Sequence, residues 1–228
     1  MMYLLDTANI EQLRKCYDLF PVSGVTTNPS IISREKSNLK ELFTDIRNII
    51  GPESMLHVQV MGTSSEEMVR EAKYLSSQIT GNLYIKIPAV PQGIKAIKEL
   101  TKLNMKTTAT AIFTPQQALM AAAAGASFVA PYVNRLDNIC GDGVEVLGEI
   151  MKFCKLYQLG TKVLAASFKN VEQVHKAALC GVHAVTVSAE LMEQLLEHPL
   201  TWASVNSFKT DWEEVYGAGK LLTDVFNF

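Results

Sequence analysis

"NLYIKIPAV", residues 82–90, alternates as a β-strand does: Leu83, Ile85 and Ile87 fall on one side, Tyr84 and Lys86 on the other. The β-branched residues and the closing Pro88 favour a strand, and apolar flanks of this kind suit the inside of a parallel sheet. Lys86 has two readings there. At a strand end its ammonium leans into water and carries no function. Held among apolar walls, its charged form is disfavoured and a neutral, nucleophilic amine becomes available.

Working outward, similar short strands are expected at Tyr3–Leu5, Gly24–Thr26, Leu56–Val60, Lys106–Thr110, Phe128–Ala130, Lys162–Ala166 and Ala184–Val187. Helical patterns fill the gaps. "NLKELFTDIRNIIG" starts at an Asn38 cap and stops at Gly51, while Ser64 and Glu67 form a capping box ahead of the apolar face Met68, Ala72, Leu75 and Ile79. Thr114, Pro115, Gln117 and Gly125 delimit another helix, and Asn170 to Gly181 repeats that logic. Eight strands alternating with helices predict an α/β fold, a single (β/α)8 TIM barrel; a doubly wound open sheet is the alternative. The barrel is expected over residues 1–198.

Residues 199–228 read as a C-terminal helical arm and tail. In "PLTWASVNSFKTDWEEVYGAGK", Trp202, Val205, Phe208, Trp212 and Val215 share one helical stripe, which either covers its own barrel or contacts another subunit.

The chain has 228 residues, 48% hydrophobic and 19% charged, enough for one large core. Its 21 Lys plus Arg and 23 Asp plus Glu are scattered, which argues against nucleic acid or an anionic membrane as partner. "MMYLLDTANI" has no basic segment and meets Asp6, so it does not read as a signal peptide and a cytoplasmic location is expected. The apolar run from Ala118 to Val133 is too short for a membrane span and is broken by Gly125 and Pro131. Cys16, Cys140, Cys154 and Cys180 make no C-x-x-C pair, and the four histidines lack metal-site spacing, so neither disulfides nor a metal is expected.

In a barrel, chemistry sits at the C-terminal ends of the strands. Those ends carry Asp6, Thr26, Thr27, Asn28, Gln59, Lys86, Thr110, Tyr132, Asn134, Arg135, Ser167 and Lys169. Each has an ordinary reading: Asp6 and Asn28 as helix caps, Thr110 as a β-former, Tyr132 as a core aromatic, Arg135 as a surface ion-pair partner. Together they suit a neutral lysine that attacks a ketone. Tyr132 with Gln59 and Thr110 holds a water as proton carrier, Asp6 supplies a carboxylate, and Arg135 with Ser167 clamps an anion. This chemistry needs no metal or organic cofactor.

"LLDTANI", "GVTTNPSII", "VQVM", "YIKIP", "VAPYVNRLD" and "VLAASFK", in this order, resemble the transaldolase family, and most closely its small bacterial fructose-6-phosphate aldolase subgroup. The likeness runs from Tyr3 to about Gly217. It implies a (β/α)8 barrel, class I aldolase chemistry on sugar phosphates, and Lys86 as the Schiff-base residue. It further implies that Asp6 assists the lysine, that Gln59, Thr110 and Tyr132 hold the catalytic water, and that Thr26, Asn28 and Ala130 line the substrate. Arg135 and Ser167 are implied to bind phosphate, and the protein to be a homo-oligomer of pentameric rings, as a pentamer or a decamer.

Transaldolases of similar size typically carry Glu and Phe at the positions of Gln59 and Tyr132, so both residues here side with the aldolase. Thr108 and the apolar tail "KLLTDVFNF" depart from the aldolase pattern, and Thr108 is expected at the pocket wall. The expected activity is cleavage of fructose 6-phosphate to dihydroxyacetone and glyceraldehyde 3-phosphate. The alternatives are a transaldolase, an aldolase using Lys169, and a silent sugar-phosphate-binding or scaffold protein. "GAGKLL", Gly217 to Leu222, lacks the Ser or Thr of a phosphate loop, and Pro29 rules out glycosylation at Asn28.

Overall fold

A computed structural model describes residues 1–226. The chain divides into two compact units, Met1–Met192 and a C-terminal unit that begins at Glu193. In the first, strand β1 (Met2–Asp6) leads to helix α1 (Ile10–Leu19), β2 (Val22–Thr26) to α2 (Pro29–Glu35) and α3 (Leu39–Ile50), and β3 (Met55–Gln59) to α4 (Ser65–Gln78). Then β4 (Leu83–Pro88) leads to α5 (Pro91–Lys102), β5 (Thr107–Ile112) to α6 (Pro115–Ala123), and β6 (Phe128–Pro131) to α7 (Val133–Asp137) and α8 (Gly143–Leu156). Finally β7 (Lys162–Ala165) leads to α9 (Val171–Leu179) and β8 (Ala184–Val187) to α10 (Ala189–Gln194), within which the first unit ends.

The strands are parallel and close into a barrel in sequence order, β8 pairing back onto β1. This is the expected (β/α)8 fold. Side-chain alternation sorts the strand residues into two populations. Leu5, Val25, Leu56, Val58, Ile85, Ile87, Val129, Val163, Val185 and Val187 are buried on the outward side, under the helices. Inside, Leu4, Met55, Phe128, Leu164 and Ala184 pack together with Met2 and Tyr84 and close the N-terminal end of the barrel.

Local signals place the helices. Asn38 Oδ1 accepts from the amides of Lys40 and Glu41, and Asn170 caps α9 through Gln173. The Ser64/Glu67 and Thr114/Gln117 capping boxes both form. Gly125 and Gly181 take positive φ where the chain turns from helix to strand.

Two irregularities lie at the C-terminal rim. Strand β5 runs past Thr110 to Ile112, with Ala111 at φ 55° and a register shift between Ala109 and Ile112. Ser167, just after β7, stands at φ 63°. Such strain persists where the surroundings hold it, and it gathers at functional rims.

In the C-terminal unit, α11 (Pro199–Tyr216) runs from a Pro199 start to Gly217 at φ 96°, and α12 (Leu222–Val225) follows. The "GAGKLL" segment is a helix-ending turn: Gly219 N donates to Glu213 and Trp212 Nε1 to the Lys220 carbonyl. The last residues of the apolar tail, 227 and 228, lie outside the described residues.

Candidate active site

Asp6, Thr26, Asn28, Lys86, Thr110, Ala130, Tyr132, Arg135, Leu164, Ala166, Ser167 and Thr186 line one cavity of about 120 Å³ at the C-terminal end of the barrel. Nine of the ten expected site residues are therefore brought together. They come from the ends of six strands or from the segments that follow them, Arg135 from within helix α7.

Lys86 is 6% exposed, and its Nζ donates to the Thr27 carbonyl at 2.8 Å. Burial lowers its pKa, while the charge of Asp6 acts in the opposite direction and raises it. Desolvation is the larger effect, so the amine form is more accessible than on a surface lysine. The walls are richer in hydroxyls than the apolar setting expected of the strand: Thr26, Thr110, Tyr132, Ser167 and Thr186 all face the cavity. Desolvation here comes from depth in the barrel.

Thr26 Oγ1 donates to Asp6 Oδ1 at 2.6 Å, fixing one carboxylate oxygen. Thr110 Oγ1 and the Tyr132 hydroxyl share a hydrogen bond of 3.0 Å. The Tyr132 ring meets the edge of Phe113 at 5.5 Å between centroids, and the Arg135 guanidinium lies 4.9 Å from the Tyr132 centroid. That stacking leaves the guanidinium fork at the exposed mouth, suited to an anion. Asn28 does cap α2, with Oδ1 accepting from Ile31 N at 3.0 Å, while also lining the cavity.

Gln59 stands next to this lining without being part of it. It pairs in register with Lys86, but it lines a neighbouring groove with Pro29, Ile32, Val58 and Met61, and is not among the cavity-lining residues. Lys169 is exposed and also absent from the cavity. Thr108 is fully buried beneath the site, bonded to His57 Nδ1 at 2.8 Å, and does not reach the pocket wall.

Two residues escape sequence reasoning, His57 and Thr186. A signal for them exists, since both occupy inward positions of strands that alternation identifies. His57 stacks on Tyr84 at 4.6 Å, and burial, aided by the Lys86 charge, drives its pKa down to about 3. It is a neutral imidazole. Among the described residues, no group of three or more His, Cys, Asp or Glu side chains converges as metal ligands do.

A closed barrel with a buried lysine, a facing carboxylate and a cationic mouth defines a (β/α)8 protein with an enzyme-type site at its C-terminal end. A family profile described as Transaldolase/Fructose-6-phosphate aldolase matches residues 3–224, and the chain belongs to that family. Among similar relatives, a probable transaldolase of Lachnoclostridium phytofermentans is 37% identical over 95% of this chain and 100% of its own length. Another probable transaldolase, from Thermoanaerobacter sp., is 41% identical over 94% and 98%. A third, from Moorella thermoacetica, is 41% identical over 94% and 99%.

Solved structures similar in fold include a mandelate oxidase variant with a monooxide FMN adduct, with TM-score 0.57 and 16% identity over 83% of this chain and 64% of that one. A flavocytochrome b2 variant with sulfite bound gives TM-score 0.60 and 14% identity over 82% and 56%. At such identities the likeness extends to the barrel alone.

Proposed function

We propose that the protein is a class I aldolase that reversibly cleaves fructose 6-phosphate to dihydroxyacetone and glyceraldehyde 3-phosphate through a Schiff base on Lys86. The observation that carries the chemistry is the buried, depressed-pKa Lys86 in one cavity with Asp6. In this reading the amine adds to the ketone carbonyl and water leaves, giving an iminium. A base takes the proton of the C4 hydroxyl, the C3–C4 bond breaks into the iminium, and the aldehyde departs. The remaining enamine is protonated at carbon and hydrolysed.

Arg135 and Ser167 take the phosphate, Thr26, Asn28 and Ala130 line the sugar chain, and Asp6 serves the lysine. The Tyr132–Thr110 hydrogen bond supports Tyr132 as the proton carrier that quenches the enamine. That step distinguishes release of free dihydroxyacetone from its transfer.

The second reading is a transaldolase that passes the same three-carbon unit between sugar phosphates. The relatives bear the name probable transaldolase, which favours this reading. Both readings share the Schiff base. Borohydride with dihydroxyacetone is expected to leave one three-carbon adduct per chain, mapped to Lys86 by peptide mass spectrometry and lost in Lys86→Met. An adduct elsewhere removes the assignment. Products from fructose 6-phosphate alone, then with erythrose 4-phosphate added, separate cleavage from transfer.

A further inference from the structure

Thr26, Lys86, Ala130 and Thr186 come from the even-numbered strands β2, β4, β6 and β8, and all four line the cavity. They fit one layer of a barrel interior, in which alternate strands contribute side chains at the same height. Thr186 has no part in the chemistry derived above. Its Oγ1 nevertheless lies 2.7 Å from Thr26 Oγ1, reaching across β1. Thr26 and Thr186 are 1% and 4% exposed.

Proton counting gives this contact a direction. A hydroxyl has one proton, and that of Thr26 is committed to Asp6 Oδ1 at 2.6 Å. In the 2.7 Å contact Thr26 is therefore the acceptor and Thr186 the donor. The Thr186 proton is then committed as well. We propose that Thr186 is a positioning residue: the donor chain from Thr186 to Thr26 to Asp6 locks the Thr26 rotor and so fixes the carboxylate that faces Lys86.

The chain also defines what Thr186 offers the pocket. With its proton engaged Thr186 presents lone pairs only to the pocket, which repel a phosphate oxygen. That assigns the phosphate to the Arg135 end and the hydroxyl-bearing ketone end to the β8 side. A chain of this kind strengthens each bond in it, because a hydroxyl that accepts a hydrogen bond becomes a better donor. Thr186→Val keeps the shape and removes the donor; Thr186→Ser keeps the donor.

The inference rests on the Schiff-base reading for its kinetic consequence, and the test has one arm independent of it. Neutron diffraction from crystals grown in D2O is expected to show a deuteron on Thr186 aimed at Thr26 and one on Thr26 aimed at Asp6. A Thr26 deuteron aimed at Thr186 overturns the chain. In solution, Thr186→Val is expected to slow borohydride trapping of dihydroxyacetone on Lys86 by about tenfold, the scale of one hydrogen bond, with KM for fructose 6-phosphate changed less than kcat and thermal stability close to wild type.

Thr186→Ser is expected to restore most of the rate. Because both threonines act through one carboxylate, Thr26→Val/Thr186→Val is expected to be no slower than Thr26→Val alone. Wild-type trapping in Thr186→Val, additive losses in the double variant, or equal loss in Ser and Val each defeat the proposal. A wild-type protein that forms no adduct defeats the Schiff-base reading instead, and the deuteron positions still decide the chain.

Discussion

Besides its hydroxyl bond to Thr110, the Tyr132 ring is held by Phe113 and the Arg135 guanidinium, so removing its oxygen leaves the ring seated. Tyr132→Phe is expected to slow release of free dihydroxyacetone by about 10²-fold or more, the scale of a general acid, while adduct formation at Lys86 and transfer to an added aldehyde are spared. The ratio of the two activities in one preparation is the measurement, and equal losses return aldolase and transaldolase to parity. His57 bears on stability. Its pKa is about 3 in the fold against 6.5 for the free side chain, so between those values the unfolded chain binds the extra proton. The contribution is complete above the higher value and is lost as pH falls toward the lower. At pH 5 the loss is about 2 kcal/mol, and His57→Phe is expected to flatten the acid side of a denaturation profile measured from pH 7 to 5.

At the scale of elements, the lysine's strand is anchored from outside by α5. A Cβ on Gly93 would run into the Pro88 carbonyl at the end of β4, so glycine is what allows that helix to lie so close to the strand. Gly93→Ala is expected to cost about 1 to 3 kcal/mol in denaturant unfolding and to slow trapping at Lys86, because the strand must shift to make room. The strands, caps and helix stops were legible because alternation, capping boxes and positive-φ glycines are local codes. What was not legible is set by long-range packing. Nothing near Ala111 announces its φ of 55°. Thr186 and His57 were hidden for a related reason: hydroxyls and imidazoles inside a strand look like ordinary strand residues until their partners on other strands are known.

At the scale of the whole molecule, α11 has no buried residues, and Trp202 and Phe208 are 66% and 70% exposed. Trp212 instead donates to the Lys220 carbonyl and lies against Tyr216 in a tilted ring contact with centroids 4.2 Å apart. Exposed indole and phenyl on one helix mark a contact surface, and we propose that it joins subunits of a homo-oligomer. Deletion from Thr201 onward is expected to reduce the sedimentation coefficient to that of a smaller species; a full-length monomer at micromolar concentration contradicts this. The apolar plug of Leu4, Met55, Phe128, Leu164 and Tyr84 gives the barrel a traffic rule. A vessel sealed at its base has one door, and what is bound deepest leaves last. In the aldolase reading proposed above, with Lys86 deep and Arg135 at the mouth, the phosphorylated aldehyde leaves first while the three-carbon unit waits behind it. Dihydroxyacetone is therefore expected to inhibit fructose 6-phosphate cleavage competitively and glyceraldehyde 3-phosphate noncompetitively in steady-state product inhibition, and the reverse pattern would mean that the cavity has a second exit.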